Sequence, residues 1–279
     1  MKKRIFTGAG YVAVVLVTFL LREFVDYRLF DLLTFFWMVA GTFEVARAVS
    51  SWAVKDNLIT AIVFSGASVA LYALLTCICG SIFGGLAVVA LTALFLLYTA
   101  IVCLKNKQKG KTFIISALPF VYPTLFMLTM LLANGFEKNV GLVALLLIYI
   151  ISPLSDTFAY FVGSLIGGKK LCPKLSPKKT WSGAIGGTIG GAVGAIAVYL
   201  IFQNKISFDY FSPVVFFAIM GIVGSVLNII GDLFESFVKR RVGIKDMGNI
   251  LPGHGGAMDR MDGAMFLSMF VYIVFLILF

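Results

Sequence analysis

The residues best suited to chemistry lie close together near the C-terminus, between Ser236 and Asp262. This stretch carries acidic and basic side chains, several glycines and the only histidine of a chain that is 60% hydrophobic. Its candidate residues are Lys239, Arg240, Lys245, Asp246, His254, Gly255, Gly256, Asp259, Arg260 and Asp262. Carboxylates repel a polyphosphate unless a divalent metal such as Mg²⁺ lies between them, and cations neutralise charge that develops on phosphates. The segment therefore indicates metal-assisted phosphate chemistry.

Two pairs of acids support this interpretation. Asp232 and Glu235 are three residues apart, so on a helix they share one face. Asp259 and Asp262 have the same spacing directly before the last apolar run. Capping is an alternative for the second pair, with Asp259 as the N-cap and Asp262 in the first turn of the final helix. Capping accounts for one acid, but not for a whole set of acids accompanied by cations.

A second charged loop, 167–180, leads into a glycine-rich run that we predict to be helical. Lysines supply point charges, hydroxyls supply donors, and the amides and dipole of a helix start favour an anion. The residues predicted to bind nucleotide phosphates here are Lys169, Ser176, Pro177, Lys178, Lys179 and Thr180. A basic loop after a membrane-spanning helix is also what membrane topology alone produces, so this signal is weak by itself.

Two acids interrupt otherwise apolar runs. A carboxylate that faces lipid at mid-bilayer costs roughly 2.5–3.5 kcal/mol on insertion scales. Asp156 is therefore expected to face a polar cavity or a partner, and Pro153, one turn earlier, could open the helix there. Glu44 is either a functional residue or a polar contact that holds two helices together.

The composition indicates an all-α polytopic membrane protein. The mean hydropathy of +1.01 over 279 residues exceeds what a soluble domain of this length could bury. Apolar runs of about 20 residues are long enough to cross the hydrocarbon core, and they predict about nine transmembrane helices. These lie near 5–22, 30–49, 58–79, 82–104, 112–133, 140–166, 181–202, 213–235 and 263–279. We interpret the first as a spanning helix and not as a signal peptide, because no small-residue cleavage site follows it.

The distribution of basic residues predicts the orientation of the chain. With nine helices and a cytoplasmic N-terminus, loops 167–180 and 236–262 both face the cytoplasm and the C-terminus lies outside. The only Lys and Arg residues outside the predicted cytoplasmic side are Arg22, Arg28, Lys138 and Lys205. The net charge of +10 is then a consequence of topology, and no soluble basic domain indicates nucleic-acid binding.

No repeat or linker divides the chain, so we predict one integral-membrane domain. It comprises N-terminal helices over 1–139 and a catalytic half over 140–279. In the catalytic half, glycines between Gly183 and Gly194 repeat at helical spacing. Such a ridge allows another helix to approach closely, within the subunit or across a homodimer. The four cysteines lack paired CxxC motifs and companion histidines, which argues against zinc.

Together, these motifs resemble the signature of the phosphatidate cytidylyltransferase (CDP-diacylglycerol synthase) family. The matching positions near the C-terminus are Ser236, Val238, Lys239, Arg240, Lys245, Asp246, Gly248, His254, Gly255, Gly256, Asp259, Arg260 and Asp262. The segments 156–163 and 176–183 also resemble family segments. Two positions depart from the pattern, Ala257 where a bulkier aliphatic is usual and Ser182 where Glu or Gln is frequent. Neither change removes a charged group, and we expect activity to be retained.

The resemblance implies transfer of CMP from CTP to phosphatidate, giving CDP-diacylglycerol and pyrophosphate. It also implies that Asp232, Asp259 and Asp262 hold Mg²⁺, alone or with a second cation. The other residues expected to act in catalysis are Lys239, His254 and Arg260. The residues expected to bind the nucleotide, besides those of loop 167–180, are Asp156, Arg240, Lys245, Asp246, Gly255 and Gly256. The lipid would enter from the inner leaflet of a bacterial inner (plasma) membrane.

Two other functions compete with this one. A CTP-dependent kinase of a polyprenol or phytol also combines CTP with a lipid, but it phosphorylates an alcohol and releases CDP. A transporter also has many helices and intramembrane acids, but its charged residues would be scattered near the midplane in both halves. Here they are concentrated at one face and in one half, which disfavours transport. The expected partners are therefore CTP, phosphatidate and membrane lipids, without nucleic acid.

Overall fold

The computed structural model describes residues 2–54, 57–206, 212–251, 253 and 255–279. Within these ranges it has nine helices that are long and apolar enough to cross a membrane. They are α1 (Lys2–Phe24), α2 (Asp31–Val49), α3 (Asn57–Cys79), α4 (Ser81–Lys105), α5 (Gly110–Asn134), α6 (Lys138–Ile166), α7 (Trp181–Phe202), α8 (Pro213–Val242) and α9 (Met258–Leu278). The predicted all-α polytopic fold is therefore confirmed. The side of the membrane on which each terminus lies stays a prediction.

The charged segment 236–262 is only partly a loop. α8 continues beyond the predicted end at 235 to Val242, and α9 begins at Met258 instead of 263. Lys239, Arg240, Asp259, Arg260 and Asp262 are therefore helical. Hydropathy places a boundary where apolar residues stop, whereas the backbone hydrogen bonds of a helix continue as long as its charged side chains have partners or solvent.

The second predicted loop, 167–180, contains a β-hairpin. β1 (Lys170–Cys172) pairs antiparallel with β2 (Ser176–Thr180), and Lys170 lies opposite Thr180. The hairpin is attached to the neighbouring helices at both ends. The Ser182 hydroxyl donates to the carbonyl oxygen of Gly167, and the Thr180 hydroxyl accepts the Gly183 amide at 3.1 Å as the N-cap of α7. The basic residues of β2 therefore have a defined place beside α6 and α7.

The internal contacts of the chain divide it into two compact units. The N-terminal unit comprises Met1–Gly135 and Arg241–Met261, and the C-terminal unit comprises Phe136–Arg240 and Asp262–Phe279. These units resemble the predicted halves 1–139 and 140–279, except that the segment connecting α8 and α9 belongs to the N-terminal unit. Asp259 consequently belongs to the N-terminal unit and Asp262 to the C-terminal unit, although both lie on α9.

The glycine ridge of α7 packs against α6 within the C-terminal unit. A Cβ atom added to Gly183 would lie 2.7 Å from the carbonyl oxygen of Ala159, and one added to Gly187 would lie 2.9 Å from that of Ser155. These distances are shorter than Cβ contacts allow, so the two backbones approach this closely only because the side chains are absent. The ridge thus acts in packing within the subunit, and a homodimer stays a prediction.

Replacing Gly187 by Leu is expected to lower the thermal stability of the purified protein. The larger side chain would separate α6 from α7, and overpacking of this kind costs about 1–3 kcal/mol, or roughly 5 °C in Tm. Gly10→Leu is the matched control, because a Cβ atom at Gly10 would meet nothing within 4 Å. An equal Tm for both variants would contradict the packing role of the ridge.

Candidate active site

A cavity of about 480 Å³ lies within the C-terminal unit, at the junction of α6, the hairpin, α7 and α8. Polar and charged side chains reach it from each of these elements except α7, which contributes Gly183 and Ala184. Its lining residues with ionisable or hydroxyl groups are Asp156, Tyr160, Ser164, Lys170, Lys178, Lys179, Thr180 and Asp232. The cavity therefore combines carboxylates and lysines, which is the combination that a metal–polyphosphate complex requires.

Asp232 and Lys179 form the central ion pair of this cavity. The Lys179 Nζ atom lies 2.5 Å from Asp232 Oδ2, and both side chains keep part of their surface exposed. The Ser236 hydroxyl donates to the other carboxylate oxygen, Oδ1, at 3.2 Å from one helical turn further along α8. Both oxygens of Asp232 thus have a partner that fixes the orientation of the carboxylate. The same ion pair keeps the Lys179 amine beside Asp232.

Asp156 provides the second carboxylate of the cavity. It lies on α6, which continues unbroken through Pro153, so the helix opening suggested by the sequence does not occur. The buried side-chain amide of Asn228 donates to Asp156 Oδ1 at 2.9 Å. The charges of Asp262, Lys179 and Asp232 all act on Asp156. The prediction that this acid faces a polar cavity is confirmed.

Asp262, on α9, lies near Asp156 and Asp232 and adds a third carboxylate to them. Its Oδ1 accepts the backbone amide of Gly263 at 2.8 Å, and its carboxyl also contacts Glu235 of α8. Glu235 is fully buried and pairs with Lys239 at 3.3 Å. A Cβ atom added to Gly231 would lie 2.9 Å from the Cα of Gly263, so the α8 and α9 backbones approach closely beside the two acids.

The side chains of this group fit a divalent cation. Four acids from three helices, Asp156, Asp232, Glu235 and Asp262, lie together, and two of them pair with a lysine, Asp232 with Lys179 and Glu235 with Lys239. A divalent cation would offset the repulsion among Asp156, Asp232 and Asp262, whose charges act on one another. Across the described ranges, no set of three or more His, Cys, Asp or Glu is arranged to hold a metal alone. Mg²⁺ typically takes one or two carboxylates and completes its shell with phosphate oxygens and water.

Several predicted phosphate-binding residues lie outside the cavity lining. Within the C-terminal unit, Lys169 and Pro177 are exposed on the hairpin side, Ser176 is half-buried, and Arg240 is exposed near the end of α8. Lys239 is buried and pairs with Glu235, so its predicted catalytic role would act through that acid. Contacts of these residues with a nucleotide stay a prediction.

Asp259 organises the segment between α8 and α9 in the N-terminal unit. Its Oδ2 accepts the amides of Met247 at 3.0 Å and Gly256 at 2.7 Å. The first residue of α9 is Met258, so Asp259 is not the N-cap but lies in the first turn. Gly255 has a φ of +87°, and a Cβ atom there would lie 2.9 Å from Asp259 Oδ2. The close approach of this carboxylate explains why position 255 has no side chain. The metal-binding role of Asp259 stays a prediction.

The remaining predicted residues are on the surface of the N-terminal unit or outside the described residues. Lys245, Asp246 and Arg260 are exposed. His254 lies outside the described residues, so its predicted catalytic role stays a prediction. Lys245 and Arg260 are exposed cations and so remain available to an anionic ligand, and nucleotide binding by Asp246 stays a prediction.

Two residues of the site, Asn228 and Lys170, were not selected from the sequence, and Glu235 was considered only as sharing a helix face with Asp232. Asn228 orients Asp156, Glu235 contacts Asp262, and Lys170 lines the cavity. Asn228 lies four residues before Asp232, so helical spacing on α8 could have indicated it as well. Lys170 had only the general signal of a basic loop, which topology also explains.

The fold and this cavity define a class of protein, an all-α membrane-spanning protein with an acid-and-lysine site suited to phosphate chemistry. A sequence model of the cytidylyltransferase family matches residues 2–278, and the chain therefore belongs to that family. The family-level resemblance of the motifs is thereby confirmed.

Individual relatives agree with this assignment. The chain is 32% identical over 149 residues to a phosphatidate cytidylyltransferase of Helicobacter pylori. This alignment covers 53% of this chain and 52% of that protein. It is 32% identical over 171 residues to one of Thermotoga maritima, which covers 61% and 62%, respectively. It is 36% identical over 118 residues to one of Bacillus subtilis, which covers 42% of each. The matched segments thus span about half the length of these relatives.

Proposed function

We propose that this protein is a phosphatidate cytidylyltransferase, which transfers CMP from CTP to phosphatidate and releases pyrophosphate. The observation that carries the proposal is the cavity of the C-terminal unit, where the Lys179–Asp232 ion pair lies beside Asp156. Lysines alone would bind an anion, and carboxylates alone would repel it. Their combination suits a nucleotide that arrives with a metal. Membership of the cytidylyltransferase family and the names of the relatives support the same substrates.

In the proposed reaction, an anionic oxygen of the phosphatidate phosphate attacks the α-phosphorus of CTP. A new P–O bond forms, the bond from the α-phosphorus to the bridging oxygen breaks, and pyrophosphate leaves with that electron pair. The attacking oxygen is already ionised, so the site needs no base to remove a proton. The protein must instead position two phosphates and neutralise their charge.

The residues of the cavity divide these tasks. Lys170, Lys178 and Lys179 would bind phosphate oxygens, and Asp232 would keep the Lys179 amine in place through their ion pair. Asn228 would keep Asp156 in one orientation. Mg²⁺ held by Asp232 and Asp262 would, when bound, neutralise phosphate charge and make the α-phosphorus more electrophilic.

We also propose that the protein resides in a bacterial inner membrane with this cavity on the cytoplasmic side. The nine apolar helices found within the described residues support an integral membrane location. The excess of Lys and Arg in the predicted cytoplasmic segments supports the orientation. CTP would then reach the site from the cytoplasm and phosphatidate from the adjoining leaflet.

The leaving group tests the proposed function. Purified protein is incubated with CTP, Mg²⁺ and phosphatidate, and the products are identified. Pyrophosphate and CDP-diacylglycerol are expected. CDP together with a phosphorylated lipid alcohol, in a parallel reaction with a polyprenol, would instead assign the lipid kinase reaction.

Removal of divalent metal is expected to stop turnover. Without the metal, the carboxylates of the site would repel the triphosphate, and loss of the metal's charge stabilisation costs about 100-fold or more in rate. EDTA should therefore reduce product formation to background, and an excess of Mg²⁺ should restore it. Full activity in metal-free buffer would contradict a metal-assisted mechanism.

A further inference from the structure

Glu44 is a buried carboxylate that the proposed reaction does not use. It lies on α2 in the N-terminal unit, with 2% of its surface exposed. Its Oε2 accepts the backbone amide of Met258, the first residue of α9, at 3.0 Å. The amide of Ala257 also hydrogen-bonds to it. The first amides of a helix have no partner within the helix, so a carboxylate that accepts them stabilises the helix start.

The same face of α2 also receives the side chain of Met258. Gly41 lies one turn before Glu44, and a Cβ atom added to Gly41 would lie 2.6 Å from the Met258 sulfur and 3.4 Å from Pro123 of α5. Met258 is fully buried. α2 therefore contacts Met258 in two ways. The Met258 side chain packs against Gly41, and the Met258 backbone amide donates to Glu44.

Glu44 also explains two glycines of the segment between α8 and α9. A Cβ atom added to Gly248 or to Gly256 would collide with the Glu44 carboxylate. Neither glycine has a positive φ, so the close approach of Glu44, and not backbone conformation, requires the missing side chain. Gly256 is among the residues predicted to bind the nucleotide. For Gly256 the neighbour is a side chain of this protein.

We propose that Glu44 is a positioning residue that holds the described residues around Gly248 and Gly256, between α8 and α9, in the conformation needed for catalysis. Its carboxylate contacts this part of the chain at two places, beside Gly248 and at the amides that lead into α9. Lys245 and Asp246, which are exposed and predicted to bind the nucleotide, lie directly before the contact at Gly248. This role rests on the proposed function, but the conformation of the segment can be measured without any substrate.

The test compares two variants that separate the hydrogen bond from the volume of the side chain. Glu44→Gln keeps a carbonyl oxygen for the Met258 amide, whereas Glu44→Leu has similar volume and no acceptor. Loss of a buried hydrogen bond to a charged group loosens the segment, so trypsin cleavage after Lys245 should accelerate roughly 10-fold in Glu44→Leu. Cleavage in Glu44→Gln should stay within about threefold of the wild-type rate. Phe43→Leu, on the exposed side of the same helix, is the control for substitution in α2.

Activity gives a second, independent measurement. In Glu44→Leu the KM for CTP should rise roughly 10-fold while the KM for phosphatidate is unchanged, because the segment carries predicted nucleotide contacts. A lower Tm with unchanged KM and unchanged cleavage would show a merely structural role and would overturn the proposal. An inactive wild-type protein would reject the proposed function, and the cleavage comparison would still decide the role of Glu44.

A glycine variant keeps the proposal testable if Glu44→Leu does not fold. Gly256→Ala leaves Glu44 intact but adds a methyl group where its carboxylate lies. Faster cleavage after Lys245 is expected, as in Glu44→Leu. Gly110→Ala is the matched control, because a Cβ atom at Gly110 would meet nothing within 4 Å. Equal cleavage of Gly256→Ala, the control and the wild type would overturn the proposal.

Discussion

Asp232→Asn is expected to reduce kcat by about 1000-fold, the upper range for loss of a preorganised electrostatic contact in an active site. The substitution keeps the shape of the side chain and an oxygen that can accept the Ser236 hydroxyl. It removes the negative charge that pairs with Lys179 and that would hold Mg²⁺. The measurement is the initial rate of CDP-diacylglycerol formation by purified variant, accompanied by its Tm and its elution profile.

The control for Asp232→Asn is Glu137→Gln. Glu137 is an exposed acid that precedes α6, and its side chain makes no capping hydrogen bond. This variant loses the same unit of charge away from the cavity, so its rate should match the wild type. If Asp232→Asn retained more than about a tenth of the wild-type rate, a charge role for Asp232 in the transition state would be excluded.

Lys179→Ala is expected to lower kcat/KM by about 100- to 1000-fold, because one cation aimed at a transferring phosphate contributes this much in comparable sites. The Lys179 amine lies in the cavity and contacts Asp232 at 2.5 Å, so its loss also leaves that acid without its cation. Lys174→Ala is the matched control, since Lys174 is an exposed lysine of the same hairpin that does not line the cavity. The control should retain wild-type kcat/KM.

The double variant Lys179→Ala/Asp232→Asn separates coupled from independent roles. Residues in direct contact give losses that do not add, whereas independent residues give additive free energies. The double variant should therefore be little less active than the worse single variant. Additive losses would show that the two residues act separately and would contradict the role proposed for their ion pair.

Much of the site could be predicted because the chain has few charged residues, so those that it has are easily recognised as candidates. In an apolar sequence, each acid or lysine that enters a spanning helix is costly, so Asp156 and Asp232 could be recognised without any structure. Helix number followed from the same physics, since apolar runs of the right length leave few alternatives. Loop 167–180 was correctly expected to lead into the start of a helix, and Thr180 caps that helix.

The sequence does not predict a residue's role when that role depends on contacts with residues far away in the chain. The sequence left Glu44 as either a functional acid or a helix-pairing contact, because its partner Met258 is 214 positions away. The acids Asp259 and Asp262 looked equivalent by spacing. The structure distinguishes them, since Asp259 accepts amides of the segment before α9 and Asp262 lies with Glu235.

The sequence by itself determined the membrane-spanning fold, the family and the set of residues available for phosphate chemistry. These properties depend on hydropathy, side-chain charge and short spacings, which are local quantities. Only the tertiary structure decided which polar and charged groups meet, such as Lys179 with Asp232 or Asn228 with Asp156. It also decided why Gly256 must lack a side chain. Such pairings depend on how helices pack, and packing is determined by contacts between distant segments that no local pattern specifies.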